Sequence, residues 1–224
     1  ESCFDLDGVS MNLIKMLVPY FPRSLINENA SHRLACLAQK FPPVSGLIIE
    51  CRLANHCDDV DLSLRIMQND NSFTIFAGVD EDYNLNKALL NHSIWCKIQM
   101  FCLQLQAQNL SMPIDNAWLE FDSINHTDDI PLPSVFVDAS NVTAISRHEI
   151  NDAMEQYFRV LKSLRYISPV SLISKNLQRC AQYLPPKATF HSVGLMFSRN
   201  TEVIRLNIKI LWRNVITYLS CLGQ

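Results

Sequence analysis

Five side chains at matched positions carry the most chemistry in this sequence: Glu50, Arg52, Glu120, Asp122 and Arg199. Each lies on or beside a run in which apolar and polar residues alternate, so each is expected on the polar face of a strand. Two arginines and three carboxylates converging on one face suit a peptide or a small zwitterion. A guanidinium clamps a carboxylate through two parallel hydrogen bonds, which fixes orientation as well as charge. Left in water, the same groups would be cross-strand ion pairs of an ordinary solvated sheet and would contribute little.

The positions are matched because the chain repeats itself. Ala38-Gln39-Lys40-Phe41-Pro42-Pro43 returns as Ala181-Gln182-Tyr183-Leu184-Pro185-Pro186. Each copy follows a helical pattern and leads through Gly46-Leu47 or Gly194-Leu195 to Arg52 or Arg199. An alternating run comes next: Val60, Leu62, Leu64, Ile66 in one copy and Ile204, Leu206, Ile208, Ile210 in the other. Ala107-Gln108 and Glu120 mark a more degenerate middle copy, which gives three helix-strand-strand units of roughly 70 residues each. Their spans are about 24–80, 84–138 and 168–222 within one domain, 1–224.

Other reactive residue types read as structure. Five glycines, none clustered, leave no phosphate-cradling loop, and no G-x-S-x-G elbow occurs. Cys51, His56 and Cys57 lack the paired spacing of a zinc site, and Cys51 falls on an inward strand position. His148-Glu149 begins like a zincin helix, but Asp152 stands where the second histidine is needed, and Ser146 with Glu149 makes a capping box. The clusters Asp58, Asp59, Asp61 and Asp80, Glu81, Asp82 lack calcium-loop spacing and read as solvated turns. His191 has no equivalent in the other units and reads as a loop histidine. No metal and no cofactor is expected.

The chain is 48% hydrophobic and 18% charged with net charge -3, a globular composition without any Lys/Arg-rich run. That argues against nucleic acid or an anionic membrane as partner, since both need a dense basic footprint. No apolar run approaches a membrane span, and Val9 to Phe21, with Lys15 and Pro19, lacks a signal-peptide layout. Residue 1 is Glu, which leaves a removed leader open. Cys36, Cys96, Cys102, Cys180 and Cys221 fall in apolar helical patterns and are expected as free, mostly buried thiols in a cytoplasmic protein. The Asn-x-Ser/Thr sequons at Asn29, Asn91, Asn109, Asn125 and Asn141 are read as accidental.

Helices are expected over Val9–Phe21, from an Asn29 or Ser31 cap to about Phe41, over a long stretch from about Asn86 to Gln108, from Ser146 to about Tyr166, from Ser168 to Leu184, and over Arg213–Leu222 with Gly223 closing it. Strands are expected over 47–53, 59–67, 73–79, 117–122, 135–137, 190–199 and 203–210. The fold expected is α+β: repeated helix-strand-strand units, a mostly antiparallel sheet, and helices packed on one face. The function expected is a non-catalytic peptide- or protein-binding protein that uses the polar sheet face or an open strand edge. A small-molecule enzyme using Glu120, Asp122 and the arginines for acid-base work is the alternative. A structural subunit that buries the face in a homo-oligomer is the third reading.

Overall fold

The computed structural model describes residues 14, 16–42, 44–51, 59–67, 69–83, 85, 87–107, 114, 116–122, 132–138, 162, 164, 170–199 and 203–223. Six strands form one sheet in the order β1-β2-β3-β4-β5-β6, every neighbouring pair antiparallel. They are β1 (Gly46–Cys51), β2 (Val60–Met67), β3 (Asn116–Phe121), β4 (Ser134–Asp138), β5 (Thr189–Leu195) and β6 (Ile204–Lys209). The helices are α1 (Glu28–Ala38), α2 (Ser72–Phe76), α3 (Lys87–Leu90), α4 (Ser93–Gln106), α5 (Val170–Gln182) and α6 (Trp212–Leu222). The protein is therefore α+β.

Period-two patterning sorts the sheet into two faces. Val60, Leu62, Leu64 and Ile66 on β2 are 0–2% exposed, as are Ala117, Leu119 and Phe121 on β3 and Val135 and Val137 on β4. They join one core with Leu34, Leu37 and Ala38 of α1, Phe73 and Phe76 of α2, Trp95, Ile98, Phe101 and Cys102 of α4, and Leu177 and Ala181 of α5. Phe41, just past α1, stacks in this core against Trp95 and Phe121, with ring centroids 5.5 and 4.8 Å away. Burying each such side chain stabilises the fold by roughly 1.5–3 kcal/mol.

Several elements differ from expectation. Helix α1 is capped two residues before the nearer expected cap, Asn29, by Asn27, whose side chain accepts from Ala30 N–H at 2.8 Å. Residues 72–76 form helix α2 where a strand was expected. Asp70 Oδ1 accepts from the Ser72 N–H (3.0 Å) and hydroxyl (2.5 Å), and Asn71 stands in the left-handed region at φ 65°, so the chain turns into a helix. Phe73 and Phe76 then reach the core one turn apart, a spacing that puts both on one face of a helix and would put them on opposite faces of a strand. The long helix before β3 is two helices. His92 is extended (φ -94°, ψ 129°), and its Nδ1 caps α4 by accepting from Ile94 N–H at 3.2 Å. The expected helix 146–166, apart from residues 162 and 164, and the expected turn 55–58 lie outside the described residues.

The cysteines also need correcting. The six described cysteines are free thiols, but of the five in helical patterns only Cys102 is buried. Cys36 and Cys180 are half-buried, and Cys96 and Cys221 are exposed. Burial pushes the Cys102 thiol far above its ordinary value, which makes it inert.

Candidate functional site

The second face of the sheet carries the polar residues, and the strand register sets who meets whom. Glu50 on β1 stands opposite Asp61 on β2, Ser63 opposite Glu120 on β3, and Glu120 opposite Ser134 on β4. Asp122 follows directly after β3. One row runs across all six strands: Gly46, Arg65, Trp118, Phe136, Gly194 and Arg205.

Two guanidiniums reach two of the carboxylates from distant points in the chain. Arg199 ends a 3-10 turn (Phe197–Arg199) after β5, rather than lying on a strand. Its Nε and Nη2 donate to Asp122 Oδ2 and Oδ1 at 3.2 and 3.1 Å, a bidentate fork. Arg205 on β6 donates from Nη1 to Glu120 Oε1 at 3.3 Å and from Nε to Asn207 Oδ1 at 3.2 Å. Two strands, β4 and β5, separate the β6 and β3 backbones, and the bridging is done by Phe136 and Gly194. Gly194 has no side chain, so the Phe136 ring lies across it, where any Cβ would collide with the ring. The Arg205 guanidinium then rests over that ring, 5.4 Å from its centroid, on the way to Glu120. Further along the same row, Arg65 lies over Trp118 at 5.6 Å, and the Trp118 indole N–H donates to Asp138 at 3.0 Å.

This is not a freely solvated face. The side chains of Asp122 and Glu120 are only 11% and 16% exposed, while Arg199 and Arg205 are 53% and 45% exposed. Asp61, Ser63, Ser134 and Ser192 are buried. Burial raises the pKa of Glu120 above its ordinary value. The Arg205 charge works against this, and the charges of Asp122, Glu50 and Asp61 add to it. The hydrogen bond and charge of Asp122 hold the Arg199 proton more tightly than usual. Four carboxylates thus act on one another against two guanidiniums, and the group carries an excess of negative charge.

Of the residues singled out in the sequence, Glu120, Asp122 and Arg199 come together, and Glu50 lies within their electrostatic reach at the β1 edge, exposed. Arg52 lies outside the described residues. Sequence reasoning missed Asp61 and Arg205, although the same alternation that turned Glu50 and Glu120 outward also placed these two. Arg205 fills the role that Arg199 was expected to fill on a strand. Asp80 is a turn residue, accepting from Asn71 Nδ2 (2.6 Å), Asp82 N–H (3.0 Å) and Tyr83 N–H (2.9 Å). Among the described residues no three His, Cys, Asp or Glu side chains are placed to hold a metal ion. None of the described helices is long and apolar enough to cross a membrane.

Comparison with protein-family models, with curated proteins and with solved structures returned no match.

Proposed function

We propose that this protein is a non-catalytic binding protein for a peptide or protein partner, held on the polar sheet face by Glu50, Asp61, Glu120 and Asp122 with Arg199 and Arg205. The observation that supports this reading most is the pairing itself. Arg199 and Arg205 are already engaged by Asp122 and Glu120, and exposed Glu50 is the outermost carboxylate of the group. A partner bearing lysine or arginine fits that balance better than the carboxylate-bearing zwitterion that the arginines alone would suit. Each charge-assisted hydrogen bond to such a side chain contributes about 1.5–3 kcal/mol, roughly tenfold to a hundredfold in affinity.

The test is selection of binders from a random-sequence peptide display library on the immobilised protein, followed by titration of the selected peptides. Peptides enriched in lysine and arginine are expected. Glu50→Gln, Arg52→Ala and Arg199→Ala should each change their affinity, Glu50→Gln weakening it by about tenfold or more. Equal affinity of the wild type and all three variants for every selected peptide would sink the proposal.

One observation favours a second reading. A carboxyl shielded from water with its pKa pushed up, as in Glu120, is shifted in the direction that suits a general acid. If the wild type converts a bound ligand and Glu120→Gln lowers turnover by about 10²–10⁴-fold, the protein is an enzyme of acid-base type.

A further inference from the structure

A second surface, away from the polar sheet face, has a different chemistry. Helix α6 docks through Tyr218, which is 7% exposed and whose hydroxyl donates to the Cys180 carbonyl of α5 at 3.1 Å. Its outer side carries Trp212 (88% exposed), Ile216 (76%) and Leu219 (39%), at i, i+4 and i+7 on one stripe. Leu211, just ahead of the helix, is also exposed. Scattered single apolar residues on a surface need no explanation, but a tryptophan-led stripe along one helix does.

The surroundings of the stripe are basic. Arg213 follows Trp212, and Lys209 ends β6 two residues before Leu211. Lys175 and Arg179 stand one turn apart on α5, and Arg179 Nη2 lies at the C-terminal end of α6 beside Gly223. Helices α5 and α6 and strands β5 and β6 contain no aspartate or glutamate. The net charge of -3 conceals a partition. Residues 156–224 hold ten lysines and arginines against one acid, while residues 1–155 hold nine against twenty-one.

We propose that α6 lies flat on the anionic face of a lipid bilayer. Trp212, Ile216 and Leu219 enter the boundary between headgroups and acyl chains, and Arg213, Lys175 and Arg179 face the lipid headgroups. Interfacial helices combine these parts: an apolar stripe with an aromatic anchor, and lysines and arginines that meet anionic headgroups. At about 16 Å, the helix is too short to span the hydrocarbon and long enough to lie in its surface. A second copy of this chain docked stripe to stripe would bring two basic α6 helices together with no acid on either to neutralise them. A broad negative surface suits basic groups drawn from two helices better than a closed pocket would.

The test uses the full chain with phosphatidylcholine vesicles, with and without phosphatidylserine, read by co-sedimentation and tryptophan emission. Of the three tryptophans, Trp95 is buried, Trp118 is half-buried and Trp212 is exposed, so a blue shift on binding reports Trp212. Binding is expected only with phosphatidylserine present and should weaken with salt. It should fall about fivefold for each of Arg213→Gln and Lys175→Gln. Trp212→Ala should abolish the blue shift, and Ile216→Ser should weaken binding, both with an unchanged circular dichroism spectrum. Absence of binding, equal binding to neutral vesicles, or an undiminished blue shift in Trp212→Ala would each overturn the proposal. Self-association in vesicle-free buffer that is lost in Trp212→Ala would overturn it too, making the stripe a protein interface.

Discussion

At position 194 the absence of a side chain has consequences two strands away. The Phe136 ring occupies the space a Cβ would take, and Arg205 crosses over that ring to Glu120. Gly194→Ala should therefore displace a buried ring and cost about 1–3 kcal/mol by overpacking. Chemical denaturation measures that cost, and an unchanged midpoint would show that the ring has room to move. Glu120 gives a prediction of opposite character. Its folded pKa is raised, so folding favours the protonated form. That contribution is fully present below the usual carboxylate pKa and is lost as pH rises through the raised folded value. Glu120→Gln, which stays neutral, should flatten the wild-type fall in stability across that window and be no less stable at pH 8, the lost Arg205 contact included. Denaturation series at acidic and mildly alkaline pH check this; a variant clearly less stable than wild type at the alkaline end would mean the ion pair outweighs the burial.

At the scale of elements, the turn between β2 and α2 decides whether residues 72–76 coil or extend. Asp70 holds it: Oδ1 takes both Ser72 donors, and Oδ2 accepts from Ser45 N–H at 3.3 Å, tying the turn to the start of β1. Ser72 is fully buried, and its hydroxyl also donates to the Met67 carbonyl at 3.1 Å. Asp70→Ala leaves these groups short of partners and should cost about 1.5–3 kcal/mol. Burial raises the Asp70 pKa, but the hydrogen bonds from Ser45 and Ser72 outweigh it and leave the value lowered. The stability Asp70 supplies is therefore present above the usual carboxylate pKa and lost as pH falls through the lowered folded value. Acid denaturation of wild type and Asp70→Ala should converge at low pH; parallel curves would sink the assignment.

For the whole molecule, the aromatic contacts among Phe41, Phe76, Trp95 and Phe121 tie α1, α2 and α4 to the centre of the sheet. Phe121→Ala should cost about 3–5 kcal/mol, because the Phe41 and Trp95 rings that pack on it come from different elements and cannot both close the cavity. Its effect should appear as a shifted denaturation midpoint and as changed emission from Trp95; a loss under 1 kcal/mol would mean the core repacks freely. Charge also belongs to this scale. Net charge alone argued against any anionic surface as partner, yet the acids lie mostly before residue 156 and the C-terminal part is basic. The partition was legible in the sequence once the sum was split.

The sequence by itself determined six strands and their faces, though it also expected a seventh at 73–79 where the chain forms α2. Alternation at 60–66 and 204–210 needs only the two-residue period of a pleated chain, and the α6 boundary followed from Gly223, which adopts φ 82°. It did not determine local states where short-range signals compete. Phe73 and Ile75 suit the period of a strand and Phe73 and Phe76 that of a helical turn, and the hydrogen bonds of Asp70 and the left-handed Asn71 settle the matter. It also named Glu120, Asp122 and Arg199 without their partners. Which guanidinium meets which carboxylate depends on register, on the gap at Gly194 and on the 3-10 turn that carries Arg199, and each of these joins residues far apart in the chain. The burial that shifts Glu120 exists only once the sheet and its coverings are assembled, because an isolated strand leaves every carboxylate in water.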